Sequence, residues 1–353
     1  MIFAKVLFII NYVNYTYIIG HVTAVEYETD TRRYVHFDCA GHPRFVKNLI
    51  STAAVIDGAI LVVDASQGIM EQTREHLKIV HSFGVKHIVT VLNKTKGLGE
   101  TQLEQIEIQL KELLAFDENN KDFIPIIRTS GSLTIDNEII EIGTDTIREL
   151  LSVIDVIIPL PNRSTDNNCL MSIFAIHNTK GKGVVAKGIV QKGIIRQGDQ
   201  VDIAGHGTMI KSATVTRIQN FKKQIDRAKN GDYVGLLLEG LTRKQIRRGQ
   251  VISLCKTVTF HKHFIANIYV LTKEEGGRHT PFFQNYQPQI FSKTCSVTTS
   301  IKLPNDIRKV MPGDKMQLTF ELFQEIAIDE KDPILICEGR RLIGIGTVFQ
   351  ILD

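Results

Sequence analysis

Several common signals of function are missing from this sequence of 353 residues. It contains no Gly-Lys-Ser or Gly-Lys-Thr, so it lacks the usual glycine-rich loop that holds the phosphates of a nucleotide. The five cysteines lie far apart, and no pair has the spacing of metal ligands. This pattern argues against a zinc site and a disulfide framework, and it favours buried thiols in a reducing compartment.

The sequence also lacks a clear membrane or targeting segment. Its start, MIFAKVLFIINYVNYTYII, is apolar but is interrupted by Lys5, Asn11 and Asn14, which makes a membrane span improbable. It has no small-residue cleavage site and is not rich in Arg and Ser, so neither a secretory signal nor a transit peptide is indicated. We interpret it as a strand or as a stretch outside the fold, and we expect no membrane partner.

The overall composition is that of a soluble protein with two or three domains. Apolar residues make up 43% and charged residues 23% of the chain. The net charge of +4 permits an anionic partner without requiring one.

The pattern of apolar residues changes once along the chain. In the first half, apolar strands such as AILVVDA alternate with amphipathic helices such as MEQTREHLKIVHSFG, which predicts a parallel sheet covered on both faces. The polar, proline-containing stretch IPLPNRSTDNN reads as a linker. Short β-rich runs separated by glycine turns follow it, as in a barrel. We predict an α/β domain at residues 1–160 and two antiparallel β-barrels at 168–256 and 258–353.

The first candidate motif is YVHFDCAGH, at the end of an apolar strand. There, the carboxylate of Asp38 could hold a magnesium ion, and the backbone of Gly41 could approach a terminal phosphate. His42 could position an attacking water molecule. A simple turn after a strand is the alternative.

Two further strand ends carry polar residues suited to a base. In VLNKTKG, Asn93 can hydrogen-bond a purine edge and Lys94 can pack its stem along the base. Lys96 stands where a carboxylate would read guanine. In RTSGS, Ser130 and Gly131 could offer backbone N–H groups to the base oxygen. Both stretches could equally be polar turns.

The fourth motif, EEGGRHTPFF, lies in the predicted last barrel. Its paired glycines turn the backbone, after which Arg278, His279 and Thr280 present donors suited to phosphate and ribose oxygens. We expect Phe282 and Phe283 to anchor the loop in the core. A surface turn with an apolar foot is the alternative.

These motifs, in this order, resemble the elongation factor Tu family of translational GTPases. DCAGHPRFVKNLI is similar to the second switch of the family, DGAILVVDASQGIMEQTREHL to its next strand and helix, and GLTRKQIRRGQVI and EGGRHTPFF to its barrels. The resemblance covers the chain from about Val22 to the C-terminus, and IAGHGTMIKSATVTRIQNFKK favours the mitochondrial branch. It implies GTP or GDP and Mg²⁺ as cofactors, with aminoacyl-tRNA, the ribosome and a nucleotide exchange factor as partners of a monomer. It also implies a mitochondrial location, with the cytoplasm as the alternative.

The resemblance assigns a role to each matching residue. Asp38 would hold magnesium through water, Gly41 would sense the γ-phosphate and His42 would be the catalytic residue. The guanine would lie among four residues: Asn93, Lys94, Ser130 and Gly131. The tRNA acceptor end would lie near Lys47 and Asn48, and the T-stem would contact Arg278, His279 and Thr280.

The sequence departs from the family pattern at its start. The family begins with a strand, a phosphate-binding loop, a helix and a first switch, and this sequence has none of them. The missing strand is central in the family sheet, so we predict that AKVLFII (Ala4–Ile10) fills the gap. The few residues from Asn11 to His21 leave no room for a crossover helix, so the direction of this strand is not fixed.

Three hypotheses follow. The chain could be an active factor that couples GTP hydrolysis to tRNA delivery. It could be a degenerate relative that binds tRNA or a protein partner without hydrolysis. Finally, the natural product could have an intact N-terminus that this sequence lacks.

Overall fold

In a computed structural model, the chain divides into two compact units, Met1–Pro161 and Asn162–Asp353. The structure describes residues 5–10, 17–19, 22–39, 46–54, 56–115, 124–129, 140–160, 169–179, 183–205, 208–220, 223–255, 259–293 and 295–353. None of the described helices is long and apolar enough to cross a membrane.

The first unit is an α/β domain, as the alternation of strands and helices predicted. Its strands are β1 Lys5–Ile10, β2 Tyr17–Ile19, β3 Val22–Glu28, β4 Arg33–Cys39, β5 Gly58–Asp64, β6 Ile88–Asn93 and β7 Ile126–Thr129. Its helices are α1 Val46–Ala53, α2 Glu71–Ser82, α3 Glu100–Leu114 and α4 Ile140–Ile157. The sheet order is β2-β3-β4-β1-β5-β6-β7, and β5, β6 and β7 run parallel.

The N-terminal strand β1 fills the central position of this sheet, which confirms the prediction for Ala4–Ile10 over the described part of that stretch. Leu7 pairs with Asp38 of β4 on one side and with Ile60 of β5 on the other. Both pairings are antiparallel, so β4 and β5 point the same way and β1 points against them. The strand therefore starts at the edge of the sheet where β4 and β5 end.

Apolar side chains cover both faces of the sheet. On one face, Ile154 and Ile158, in and just after α4, pack against Ile60, Val89 and Val91. Alternate residues of β5 point to the opposite face, and these are buried as well. The continuous apolar run in AILVVDA is thus explained by burial on both sides.

A polar cluster joins the β3–β4 hairpin to α4. The carboxylate of Asp155 accepts hydrogen bonds from Thr29 at 3.1 Å, from Thr31 at 2.7 Å and from the hydroxyl of Tyr34. Burial raises the pKa of Asp155, but these hydrogen bonds outweigh it and lower the pKa below its ordinary value. The cluster stabilises the part of the sheet formed by β2, β3 and β4, which β1 separates from β5.

The first unit is expected to lose stability in mild acid because of His76. This histidine in α2 is buried, and burial lowers its pKa from 6.5 to about 4. Between these values the unfolded chain binds a proton that the folded chain does not, so lowering the pH below about 6.5 favours unfolding. The His76 contribution should be about 2 kcal/mol lost between pH 7 and pH 5, at about 1.4 kcal/mol per pH unit.

Urea unfolding of wild type and His76→Gln at both pH values would measure this contribution. His36 also has a pKa lowered to about 4, chiefly by burial, and it remains in both proteins, so the difference between them isolates His76. An equal loss of stability in the two proteins would contradict the prediction.

The second unit consists of two antiparallel β-barrels, as predicted. The strands of the first barrel region are β8 Leu170–Thr179, β9 Gly183–Lys192, β10 Ile194–Arg196, β11 Gln200–Gly205, β12 Thr208–Asn220, β13 Lys223–Ile225, β14 Arg227–Lys229, β15 Tyr233–Glu239 and β16 Val251–Leu254. The pairing of β11 with β12 closes the ring β11-β16-β8-β9-β15-β12.

The C-terminal barrel is closed in the order β17-β22-β20-β19-β23-β24. The strands of this region are β17 His261–Val270, β18 Phe282–Phe283, β19 Gln289–Ser292, β20 Cys295–Lys302, β21 Lys309–Val310, β22 Lys315–Ile326, β23 Pro333–Glu338 and β24 Arg341–Ile351. Each of the two barrels has its own apolar core.

A small apolar cluster connects the barrels to each other. It contains Leu170 and Val251 of the first barrel and Ala327 of the second. Nearby, the thiol of Cys295 donates to the carbonyl of Gly249 at 2.7 Å. Burial raises the pKa of this thiol to about 12, which keeps it protonated. Four of the five cysteines are buried, as predicted, and Cys255 is partly exposed.

Candidate functional site

The carboxyl ends of the parallel strands form the candidate site of the first unit. Register places Asp64 at the end of β5 beside Asn93 at the end of β6, and Asn93 beside Thr129 of β7. Open α/β sheets bind ligands outside such an edge. Asp38 lies further back, because Leu7 pairs with both Asp38 and Ile60. Ile60 precedes Asp64 by four residues, roughly 13 Å along the strand.

Four of the predicted site residues lie outside the described residues: Gly41, His42, Ser130 and Gly131. The structure therefore brings together Asn93 and Lys94 at one edge, with Asp38 set back from them. The catalytic role of His42 and the base contacts of Ser130 and Gly131 remain predictions.

An ion pair that the sequence did not predict lies at this edge. The ammonium group of Lys94 is 2.6 Å from Oδ2 of Asp64, whose side chain is only 6% exposed. Ser66 donates to the other carboxylate oxygen from its backbone at 3.0 Å and from its hydroxyl at 2.6 Å. Burial raises the pKa of Asp64, but the hydrogen bonds from Lys94 and Ser66 outweigh it and lower the pKa.

Lys94 makes this contact from an uncommon backbone conformation. Its φ is 62°, in the left-handed region, which costs a residue other than glycine about 1–2 kcal/mol. Its backbone N–H donates to Oδ1 of Asn93 at 2.8 Å. The ion pair and this hydrogen bond together hold the turn, and both use groups that the resemblance assigned to the guanine.

The residues next to this turn also form hydrogen bonds within the protein. Thr95 donates to the carbonyl of Thr129 from its backbone at 3.4 Å and from its hydroxyl at 3.3 Å. The guanidinium of Arg128 binds Glu107 at 2.5 Å and Glu100 at 2.6 Å, both on α3, and these hydrogen bonds raise its pKa. Lys96 is exposed on the turn between these contacts.

The described residues offer little for a magnesium–nucleotide complex. Within the described ranges, no group of three or more His, Cys, Asp or Glu is arranged to hold a metal ion. Asp38 is partly buried at the end of β4, and the magnesium role predicted for it is not tested by this geometry. Among the described residues, exposed Lys96 stands where guanine would need a carboxylate, so the base side of the site does not fit a guanine nucleotide.

The direction of β1 bears on phosphate binding. A phosphate-binding loop follows the carboxyl end of a central strand and opens a helix N-terminus towards the ligand. Here the carboxyl end of β1, at Ile10, pairs with Val35 near the start of β4, whereas Lys5 pairs with Val62 near the end of β5. The chain therefore leaves β1 at the edge opposite to Asp64 and Asn93.

The first predicted tRNA contacts lie on α1. Lys47 and Asn48 occupy its first turn, and both are partly exposed. Their backbone carbonyl groups accept hydrogen bonds from the side-chain hydroxyls of Ser51 at 3.0 Å and Thr52 at 2.9 Å, one helical turn further along. A contact of these two residues with tRNA remains a prediction.

The loop of the C-terminal barrel is organised around Arg278. Its guanidinium donates to Glu338 at 2.8 Å, to the hydroxyl of Tyr286 at 2.5 Å and to both oxygens of Thr280. The guanidinium carbon also lies 4.7 Å from the centre of the Tyr286 ring. His279 and Thr280 are exposed to solvent. Arg278 instead holds the loop in place through its contacts within the protein.

The two phenylalanines of this loop differ from the expectation. Phe282 is 4% exposed and stacks on Tyr286, which confirms its anchoring role. For Phe283 the prediction is wrong, because 59% of this residue is exposed. The two lie on the short strand β18, where successive side chains point to opposite sides, so only one of them can face the core.

Comparison with known families accounts for most of the chain. Residues 18–160 match the elongation factor Tu GTP binding domain, residues 183–253 match elongation factor Tu domain 2, and residues 257–352 match the elongation factor Tu C-terminal domain. The three matches follow the order of the α/β unit and the two barrels described above. The chain therefore belongs to the elongation factor Tu-like translational GTPases, and its general role is that of a translation elongation factor.

Proposed function

We propose that this chain is a translation factor that binds aminoacyl-tRNA through its barrels and does not hydrolyse GTP. The observation that carries the proposal is the antiparallel direction of β1 in the centre of the sheet. The strand that would otherwise lead into a phosphate-binding loop leaves at the wrong edge. Most of the grip on a nucleotide comes from the backbone of that loop and from its lysine.

The turn after β6, where the family contacts the guanine base, supports the same conclusion. Lys96 stands where the family has a carboxylate, and a cation cannot accept hydrogen bonds from guanine. A purine edge left unpaired in this way costs several orders of magnitude in discrimination. The ammonium of Lys94 is held by Asp64, so the stem of this side chain, and not its charge, is left to contact a base.

The barrels support the tRNA-binding part of the proposal. Both are complete rings with apolar cores, and the loop with Arg278, His279 and Thr280 is held in place by contacts of its own. Exposed His279 and Thr280 offer donors to a nucleic-acid backbone. We propose that the chain acts as a monomer on aminoacyl-tRNA and the ribosome, in mitochondria, as its resemblance to the mitochondrial branch suggests.

GTP-dependent delivery of aminoacyl-tRNA, assisted by a nucleotide exchange factor, is the second candidate. It is favoured by Asp38 near the end of β4 and Asn93 at the end of β6, because the resemblance to the family implies nucleotide contacts for both residues. On this alternative, Gly41 and His42 would sense and hydrolyse a γ-phosphate held by some other part of the protein.

Calorimetric titration of the purified chain with GTP and GDP in magnesium-containing buffer separates the two candidates. We expect no binding at micromolar concentrations, together with retained affinity for aminoacyl-tRNA that weakens as salt is added. Micromolar or tighter nucleotide binding would overturn the proposal. If the chain also fails to bind aminoacyl-tRNA, the tRNA-binding part of the proposal is wrong.

A matched variant sharpens this test. Lys96→Asp restores the carboxylate that guanine requires but adds nothing that holds phosphates. The variant should therefore still fail to bind GDP. If it binds GDP tightly, the base edge and not the phosphate grip is the defect, and the argument from β1 fails. Xanthosine and adenosine nucleotides should be tested alongside, because Lys96 removes the preference for guanine.

A further inference from the structure

We propose that Asp64 acts as an internal ligand of Lys94 and holds the turn after β6 in one conformation without any bound molecule. This goes beyond the proposed function and does not depend on it, because the ion pair is a property of the folded chain alone. It would be a conformational device built into the ends of β5 and β6.

The geometry of the Asp64–Lys94 pair supports this inference. Asp64 and Asn93 are neighbours in the parallel register, so Lys94 follows directly beside the carboxylate. Its ammonium group lies 2.6 Å from Oδ2, a close contact for a charge-assisted hydrogen bond, which typically spans about 2.7–2.9 Å. Ser66 occupies the other oxygen, so both oxygens of the carboxylate have donors.

Burial of the Asp64 carboxylate also favours the pair. The side chain of Asp64 is 6% exposed, whereas that of Lys94 is 42% exposed. A buried carboxylate needs a cation or several donors, because a charge removed from water is costly. Lys94 supplies the cation, so, among the described residues, release of Lys94 to an outside ligand would leave the Asp64 carboxylate with the donors of Ser66 alone. Any such ligand must therefore compete with Asp64.

The backbone conformation of Lys94 also depends on its neighbours. Its φ of 62° is unfavourable for a residue with a side chain, and such conformations persist only where the surroundings hold them. The surroundings here include the carboxylate of Asp64, the side-chain oxygen of Asn93 and the carbonyl of Thr129, which accepts from Thr95. The turn is thus held in one conformation by neighbours on β5 and β6 and needs no ligand to order it.

Amine acetylation followed by mass spectrometry tests this inference in the full-length protein. Acetylation requires an amine that is free to approach the reagent, so Lys94 must first leave Asp64. Lys96 is an internal control, because it lies two residues away and is exposed. At low extents of reaction, we expect Lys96 to react at least about fivefold faster than Lys94. Equal rates in the wild-type protein would overturn the inference, and this comparison needs no substitution.

The variant Asp64→Asn removes the charge and keeps the shape of the side chain. In a folded variant, verified by circular dichroism, Lys94 should react within about twofold of the Lys96 rate. A Lys94 rate that stays as low as in wild type would show that burial, and not the carboxylate, protects the amine. That result would also overturn the inference.

Discussion

Replacing Leu7 with proline is expected to unfold the first unit of the chain and to leave both barrels folded. Leu7 lies in the middle of β1, paired on both sides in the centre of the sheet. Proline has no N–H, so one ladder bond is lost and its partner carbonyl is left buried. The ring also displaces the neighbouring strand. We expect a loss of about 3 kcal/mol or more, a large share of the roughly 5–15 kcal/mol that stabilises a domain.

Hydrogen exchange resolved by peptide measures this effect within each unit. In the wild-type protein, amides of Leu7 and Phe8 should exchange slowly, because they belong to a central strand. In Leu7→Pro, exchange should become fast across β4, β5 and β6 and stay slow in the barrels. Ile18→Pro is the matched control, since β2 lies at the edge of the described sheet, next to β3, and an edge strand tolerates proline better. Rapid exchange of Leu7 and Phe8 in wild type would contradict the placement of β1.

The sequence predicted the presence of β1 but could not predict its direction. A continuous apolar run indicates a buried strand, yet it reads the same from either end. The family sheet required a central strand, and the short connection to β2 ruled out a crossover helix. With no helix to enforce parallel pairing, the chain could take either direction. Under the proposed function, this direction is what prevents a phosphate site from forming, so the proposal depends on a feature that the sequence did not predict.

The candidate site shows the same division between local and distant information. Asn93 and Lys94 were found because they follow an apolar strand directly. Asp64 was missed, although it also ends a buried strand, because its role depends on the register between β5 and β6. The brace around Arg278 was missed for a similar reason. Its partner Glu338 is 60 residues away in the sequence, and the two meet only through barrel closure.

Replacing Gly188 with alanine is expected to destabilise the first barrel strongly. Gly188 lies on β9 opposite Ile173 of β8. A Cβ at this position would lie 1.9 Å from the carbonyl oxygen of Ser172 and 2.8 Å from the Met171 side chain. The nearest atom belongs to the backbone, so the two strands must separate for alanine to fit. Overpacking of this kind costs typically about 1–3 kcal/mol, and we expect about 3 kcal/mol or more here because the backbone must move.

Gly235→Ala in the same barrel is the control for this prediction. The nearest atom to a Cβ at Gly235 is a methyl carbon of the Val185 side chain, at 3.2 Å, and a shift of a few tenths of an ångström accommodates it. Glycine in a strand is otherwise entropically unfavourable, so this substitution should change stability by less than about 1 kcal/mol. Urea unfolding followed by exchange in barrel peptides would compare the two variants. Similar stabilities would show that β8 and β9 separate easily at Gly188, and that the close approach of these strands does not require glycine.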